Sequence, residues 1–112
     1  MRIQVVSRHL ELHPALREHI ERRFSSLSRH YDRDSCKLHV AIDHVQGGSR
    51  HPMYEVHAQL SVPGQLLVAK GKAFDAYAAV DAAETMLLRE MDRWRSRITD
   101  HTARETPRSA GG

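Results

Sequence analysis

Between Asp75 and Arg97 the apolar residues Val80, Ala83, Leu87, Met91 and Trp94, continued by Ile98, recur at steps of three and four. That period places them on one face of an α-helix, and a helix apolar on a single face has to lie against another layer. The rest of the chain must supply that layer. Arg89, Arg93 and Arg97 are spaced by four and stack in a column on the far side of the same helix, with Arg95 on a flank. Part of this charge is explained locally. Cations near a helix C-terminus oppose the macrodipole, by about 0.3–1 kcal/mol each at low salt, and Glu90 and Asp92 stand within reach of Arg93 and Arg95. The remainder points to water or to an anion.

The layer is found upstream. Ile3 and Val5 alternate with polar neighbours in the string from Arg2 to Ser7, which predicts a first strand. His13-Pro14 then opens a helix, since proline is tolerated at the first helical position, with Leu16, Ile20, Phe24, Leu27 and Tyr31 as its apolar face. Arg22 and Arg29 lie opposite that face, and His19, Arg23, Ser26 and His30 line one flank. From Cys36 the period changes to two: Cys36, Leu38, Val40 and Ile42 alternate with Lys37, His39, Ala41 and Asp43. Gln46 to Pro52 reads as a loop. Beyond it Tyr54, Val56, Ala58, Leu60 and Val62 alternate with Glu55, His57, Gln59 and Ser61. Pro63-Gly64 has the chemistry of a tight type I or II turn, and Gln65 to Lys70 forms a fourth strand that Gly71 is expected to end.

The predicted class is α+β with the order β-α-β-β-β-α: a four-stranded sheet with two helices packed on one face. The last three strands form a meander, and the first lies beside one of them, which periodicity does not identify. Residues 1–98 make one domain. From Thr99 the chain is polar and small, without apolar period, so residues 99–112 are expected to be a flexible tail.

With 17 Lys and Arg against 14 Asp and Glu, the 112-residue chain carries a formal charge of +3. The excess is small, but most of it is arginine, whose planar fork suits bidentate contact with phosphate. The single cysteine, Cys36, excludes an intramolecular disulfide and every multi-cysteine zinc pattern. The first residues hold no signal-like apolar run and no segment approaches the roughly 20 apolar residues of a membrane span, so a cytoplasmic protein is expected.

No nucleophile elbow, Walker loop, HExxH or dinucleotide-binding fingerprint occurs, and neither an enzyme, a cofactor nor a small-molecule substrate is expected. His39 and His57, with Asp43 or Glu55, have the donors for a zinc ion, but cross-strand histidines on a solvent face are commonplace. No metal site is therefore expected. Trp94 falls on the apolar stripe and is expected in the core, and Tyr77 is expected to pack against the sheet.

Several strings resemble one family. Tyr54-Glu55-Val56-His57-Ala58 leads through Val62-Pro63-Gly64 to Asp75-Ala76-Tyr77-Ala78-Ala79-Val80-Asp81, and this last DxYAAxD string resembles the signature of the hibernation-promoting factor and ribosome-associated inhibitor (protein Y) family. Ala15-Leu16-Arg17-Glu18 and Leu27-Ser28-Arg29-His30-Tyr31-Asp32 are similar to two further strings of that family, and the likeness runs from Met1 to Arg97. The resemblance implies the same β-α-β-β-β-α order. It also implies a short-form ribosome-binding translation inhibitor whose basic helices meet small-subunit rRNA in the mRNA and tRNA channel during starvation or stationary phase; a monomer is expected, and the alternatives are a general double-stranded RNA-binding module and a protein-interaction domain whose polar sheet face, with His39 and His57, binds a partner. Arg23 and Arg29 match basic positions on the first helix, and Arg89, Arg93, Arg95 and Arg97 match the basic run on the second. With Arg22 and His30 beside them, these form the expected rRNA-binding set. Ser26 and Met86 stand where the family commonly has a basic residue, Glu90 replaces a frequent glutamine and Asp92 adds a negative charge.

Overall fold

The computed structural model describes residues 2–29, 36–45 and 53–111, with side chains described as far as residue 97 except for Ser28 and Arg29. The elements run β1 (Arg2–Arg8), α1 (Pro14–Ser25), a 3-10 turn (Ser26–Arg29), β2 (Lys37–Val45), β3 (Met53–Val62), β4 (Gln65–Ala73) and α2 (Ala76–Gly111). This is the predicted order. The expected loop of residues 46–52, together with His30, Tyr31 and Asp32, lies outside the described residues.

The sheet order is β1-β2-β3-β4. β1 is parallel to β2, and the other two pairs are antiparallel. A parallel pair cannot be closed by a hairpin, so α1 serves as the crossover that returns the chain beside its first strand. The register runs straight across the sheet. Ile3, Leu38, Leu60 and Leu67 share one row, and Val5, Val40, Ala58 and Ala69 the next, all pointing to the helices. From the other side come Leu16, Ile20 and Phe24 of α1, Leu27 of the 3-10 turn, and Ala79, Val80, Ala83, Leu87, Met91 and Trp94 of α2. Each fully buried large side chain contributes about 1.5–3 kcal/mol of transfer free energy. Trp94 is a core residue, as its place on the stripe predicts.

Local chemistry fixes the joints. Gly64 takes a φ of 85°, the left-handed value that a type II turn requires of its third residue, and Val62 and Gln65 pair on either side of it. Asp75 starts α2: its Oδ2 accepts a hydrogen bond from Ala78 N–H at 3.2 Å, and its carbonyl accepts one from Ala79 N–H at 3.0 Å.

Two expectations are corrected. Gly71 does not end β4, which runs on to Ala73; it is buried in the strand where α2 crosses closest, and a Cβ there would collide with the Ala79 carbonyl oxygen and the Ala83 backbone nitrogen. Glycine here marks a close approach rather than a break. Tyr77 does not pack on the sheet. It is exposed, and its ring meets His19 of α1 edge to face, with centroids 5.0 Å apart.

The helical backbone of α2 runs to Gly111. Apolar periodicity reports burial, not helicity. Trp94 is the last buried side chain among those described. Truncation after Arg97 is accordingly expected to shift Tm by less than about 2 °C, against roughly 4–8 °C per kcal/mol for a domain of this size; a thermal melt lowered by 10 °C would show that the extension packs.

Candidate nucleic-acid interface

α1 and α2 meet through a polar seam. His19 Nε2 lies 2.8 Å from Asp81 Oδ1. Arg23 reaches two carboxylates, with Nε 3.0 Å from Asp81 Oδ1 and Nη2 3.2 Å from Glu84 Oε1. Ser26 Oγ shares its one proton between the Arg23 carbonyl oxygen at 2.6 Å and Glu84 Oε2 at 3.0 Å. Glu84, 7% exposed, is the buried charged residue among those described, and a carboxylate taken out of water is tolerated only when paired and hydrogen-bonded. Arg23 and Ser26 supply that compensation, and the Arg23 guanidinium, 42% exposed, ties the two helices.

The seam also fixes direction. His19 meets Asp81, while Arg23 and Ser26 meet Glu84, so rising numbers on α1 face rising numbers on α2 and the helices run parallel. α1 and its 3-10 turn end at Arg29 while α2 continues. Arg89 stands five residues beyond Glu84, about 7.5 Å along the axis at 1.5 Å per residue.

The expected site residues then fall into place. Arg89, Arg93, Arg95 and Arg97 are all exposed on this continuation of α2. Arg93 Nη1 donates to Glu90 Oε1 at 3.1 Å, and Arg89 Nη1 lies 3.8 Å from Met86 Sδ. Among the described residues no carboxylate pairs with Arg89, Arg95 or Arg97. On α1, Arg22 is exposed and bonded to Glu18 Oε1 at 3.1 Å. Exposed pairs one turn apart contribute only about 0.3–0.5 kcal/mol, so Arg22 and Arg93 can exchange their carboxylates for a phosphate at little cost. The Arg29 side chain and all of His30 are outside the described residues. Sequence reasoning missed the seam, although its signal was present: polar residues 19, 23 and 26 on one flank of α1 match acids 81 and 84 on one flank of α2.

Across the sheet His39 stands opposite Gln59, and His57 opposite Ala41, so the two histidines are diagonal neighbours. Among the described residues no three His, Cys, Asp or Glu side chains gather closely enough to hold a metal ion. No helix, among the described residues, is long and apolar enough to cross a membrane.

The family described as Sigma 54 modulation protein / S30EA ribosomal protein has a model that matches residues 3–99. The chain belongs to this family. S30EA relatives include the ribosome hibernation promoting factor of Acinetobacter guillouiae, 30% identical over 111 residues that cover 94% of this chain and 96% of that one. The ribosome hibernation promotion factor of Deinococcus radiodurans is 30% identical over 95 residues, 84% of this chain, and this chain spans about half of that relative's length, 49%. The fold is that of the N-terminal domain of Thermus thermophilus protein Y, with a TM-score of 0.71 at 25% identity, covering 84% of this chain and 99% of that domain. Within this S30EA chain the DxYAAxD string has structural work at each end: Asp75 caps α2 and Asp81 holds α1, while Ala79 between them gives β4 room.

Proposed function

We propose that this chain is a non-enzymatic ribosome hibernation factor of the cytoplasm. It binds the small subunit as a monomer, lays its arginine-bearing helices against rRNA, and idles the ribosome in starved or stationary cells by occupying the channel of mRNA and tRNA. The family and the names of the relatives support the ribosome as partner. The observation that carries the mode of binding is the exposed arginine run of α2, three of whose members have no carboxylate partner among the described residues. Recognition by such a run is of phosphate backbone and RNA shape rather than of base sequence. Of the departures from the family pattern, Ser26 bonds within the seam, to the Arg23 carbonyl oxygen and Glu84, and Met86 is exposed beside Arg89.

Phosphate binding predicts a steep salt dependence. With about four to five phosphates neutralised and a slope near −0.7 to −0.9 per phosphate, affinity falls on the order of 100-fold between 50 and 200 mM salt. Co-sedimentation with purified small subunits at these two salt concentrations, with and without mRNA and initiator tRNA, measures this directly. The protein is expected to pellet with subunits at low salt, to be displaced by tRNA, and to weaken by that factor. Pelleting indifferent to tRNA, or equal affinity for an unrelated RNA duplex, would reject occupancy of the channel.

A further inference from the structure

The face of the sheet turned away from both helices is crossed by rows of side chains that the strand register sets side by side. At one end Arg8, Asp43, Glu55 and Lys72 share a row, two cations around two carboxylates. Asp43 also takes His9 Nδ1 at 2.9 Å, and Glu55 lies 3.4 Å from His57 Nε2. That end is electrically closed. At the other end Arg2 and Lys37 are direct partners in the parallel register, both exposed, and among the described residues no carboxylate pairs with either. Like charges set directly opposite each other are destabilising, and an anion lying between them relieves the repulsion.

What surrounds the two cations indicates the kind of anion. A depression of about 430 Å³ opens there, within the range of roughly 300–1,000 Å³ usual for small-ligand sites. Its middle is lined by His39, Gln59 and Ser61, which offer hydrogen bonds, and neither this row nor the next contains an acid. Its far side ends at Leu66 of β4, 51% exposed, and outside the depression Val68, 46% exposed and opposite Gln59 on the same sheet face, extends the apolar surface. Cations, then neutral hydrogen-bonding groups, then an apolar surface is the order of phosphate, sugar and base in a nucleotide.

We propose that the Arg2–Lys37 end of the open sheet face binds a nucleotide of a single-stranded RNA, with its phosphate between the two cations and its base over Leu66 and Val68. The contact is separate from the helix surface, and it rests on the proposed function only for the class of partner. The test is a backbone amide NMR titration of the full chain with a single-stranded RNA octamer, a mononucleotide and inorganic phosphate in turn. The octamer is expected to shift Arg2, Lys37, His39, Ser61 and Leu66, and to bind at least 10-fold more tightly than either small ligand. Lys37→Glu, and independently Ser61→Glu, are expected to weaken the octamer about 10-fold, and Lys37→Glu to lower the salt slope by roughly one phosphate contact. Arg89→Glu/Arg93→Glu is expected to leave the sheet shifts in place. Shifts confined to α2, octamer binding unchanged in both sheet variants, or a small ligand binding as tightly as the octamer would overturn the proposal. Because no ribosome is used, absent sheet shifts with intact ribosome binding would reject this site alone, and sheet shifts without ribosome binding would reject channel occupancy alone.

Discussion

Gly71→Ala is expected to lower the melting temperature by about 15 °C. The added Cβ would collide with the Ala79 carbonyl oxygen and the Ala83 nitrogen, and it would sit 3.0 Å from Ala83 Cα. These are backbone atoms of α2, so no rotamer change clears the space and the helix itself must move off β4. Overpacking typically costs 1–3 kcal/mol, and a backbone obstacle puts this site near about 3 kcal/mol, or roughly 12–24 °C at 4–8 °C per kcal/mol. Gly64→Ala is the control. Nothing stands within 4 Å of its Cβ, so only the positive φ of 85° opposes the change, at about 1 kcal/mol. Calorimetry or circular dichroism separates the two; a Gly71→Ala protein melting within 3 °C of the parent would mean that α2 does not lie on β4 in this way.

Arg89→Glu/Arg93→Glu is expected to abolish co-sedimentation with small subunits, by more than 100-fold, while leaving the melt within about 2 °C. Both side chains are exposed and neither touches the core, and each reversal removes a phosphate contact and adds a repulsion. Arg23→Ala should show the opposite pattern. It leaves Glu84 buried with only the Ser26 hydroxyl, shared with the backbone carbonyl of residue 23, beside it among the described contacts. Breaking a fully buried pair costs 3–5 kcal/mol; because the Arg23 side chain is 42% exposed and water can reach it, the expected loss is nearer about 2 kcal/mol. That is a melt lower by roughly 10 °C, with ribosome affinity at 20 °C changed less than about 3-fold. Loss of ribosome binding by Arg23→Ala with an unaltered melt would show that its guanidinium leaves the seam for RNA.

The elements were legible where burial imposes a period. Leu38, Val40 and Ile42, or Val80 through Trp94, announce their strand and helix because each faces one core. The partner of β1 was not legible, since Ile3 and Val5 would fit beside any strand with an apolar side, and only the three-dimensional crossover chooses β2. Gly71 was misjudged because a residue with no side chain leaves no sign of what comes close to it. The exposed arginines of α2 could be read from their spacing alone, whereas Arg23, with the same composition signal, is paired with Asp81 and Glu84. Which cations are free depends on which carboxylates the tertiary structure brings to them, and the sequence separation from 23 to 84 hides that pairing.

The placement of charge along α2 has one more effect. Asp81 and Glu84 lie near its N-terminal end and are met by α1, while the stretch from Arg89 to Arg97 carries four arginines against Glu90 and Asp92 and is positive on balance. The domain is thereby given an electrical direction, pointing along the helix axis away from the capped end. A polyanion that comes within a Debye length, about 8–10 Å in ordinary buffers, exerts a torque before any contact forms and turns the molecule arginine end first. The search over orientations that slows most docking is shortened, and two copies approaching one RNA segment with the same ends forward repel each other.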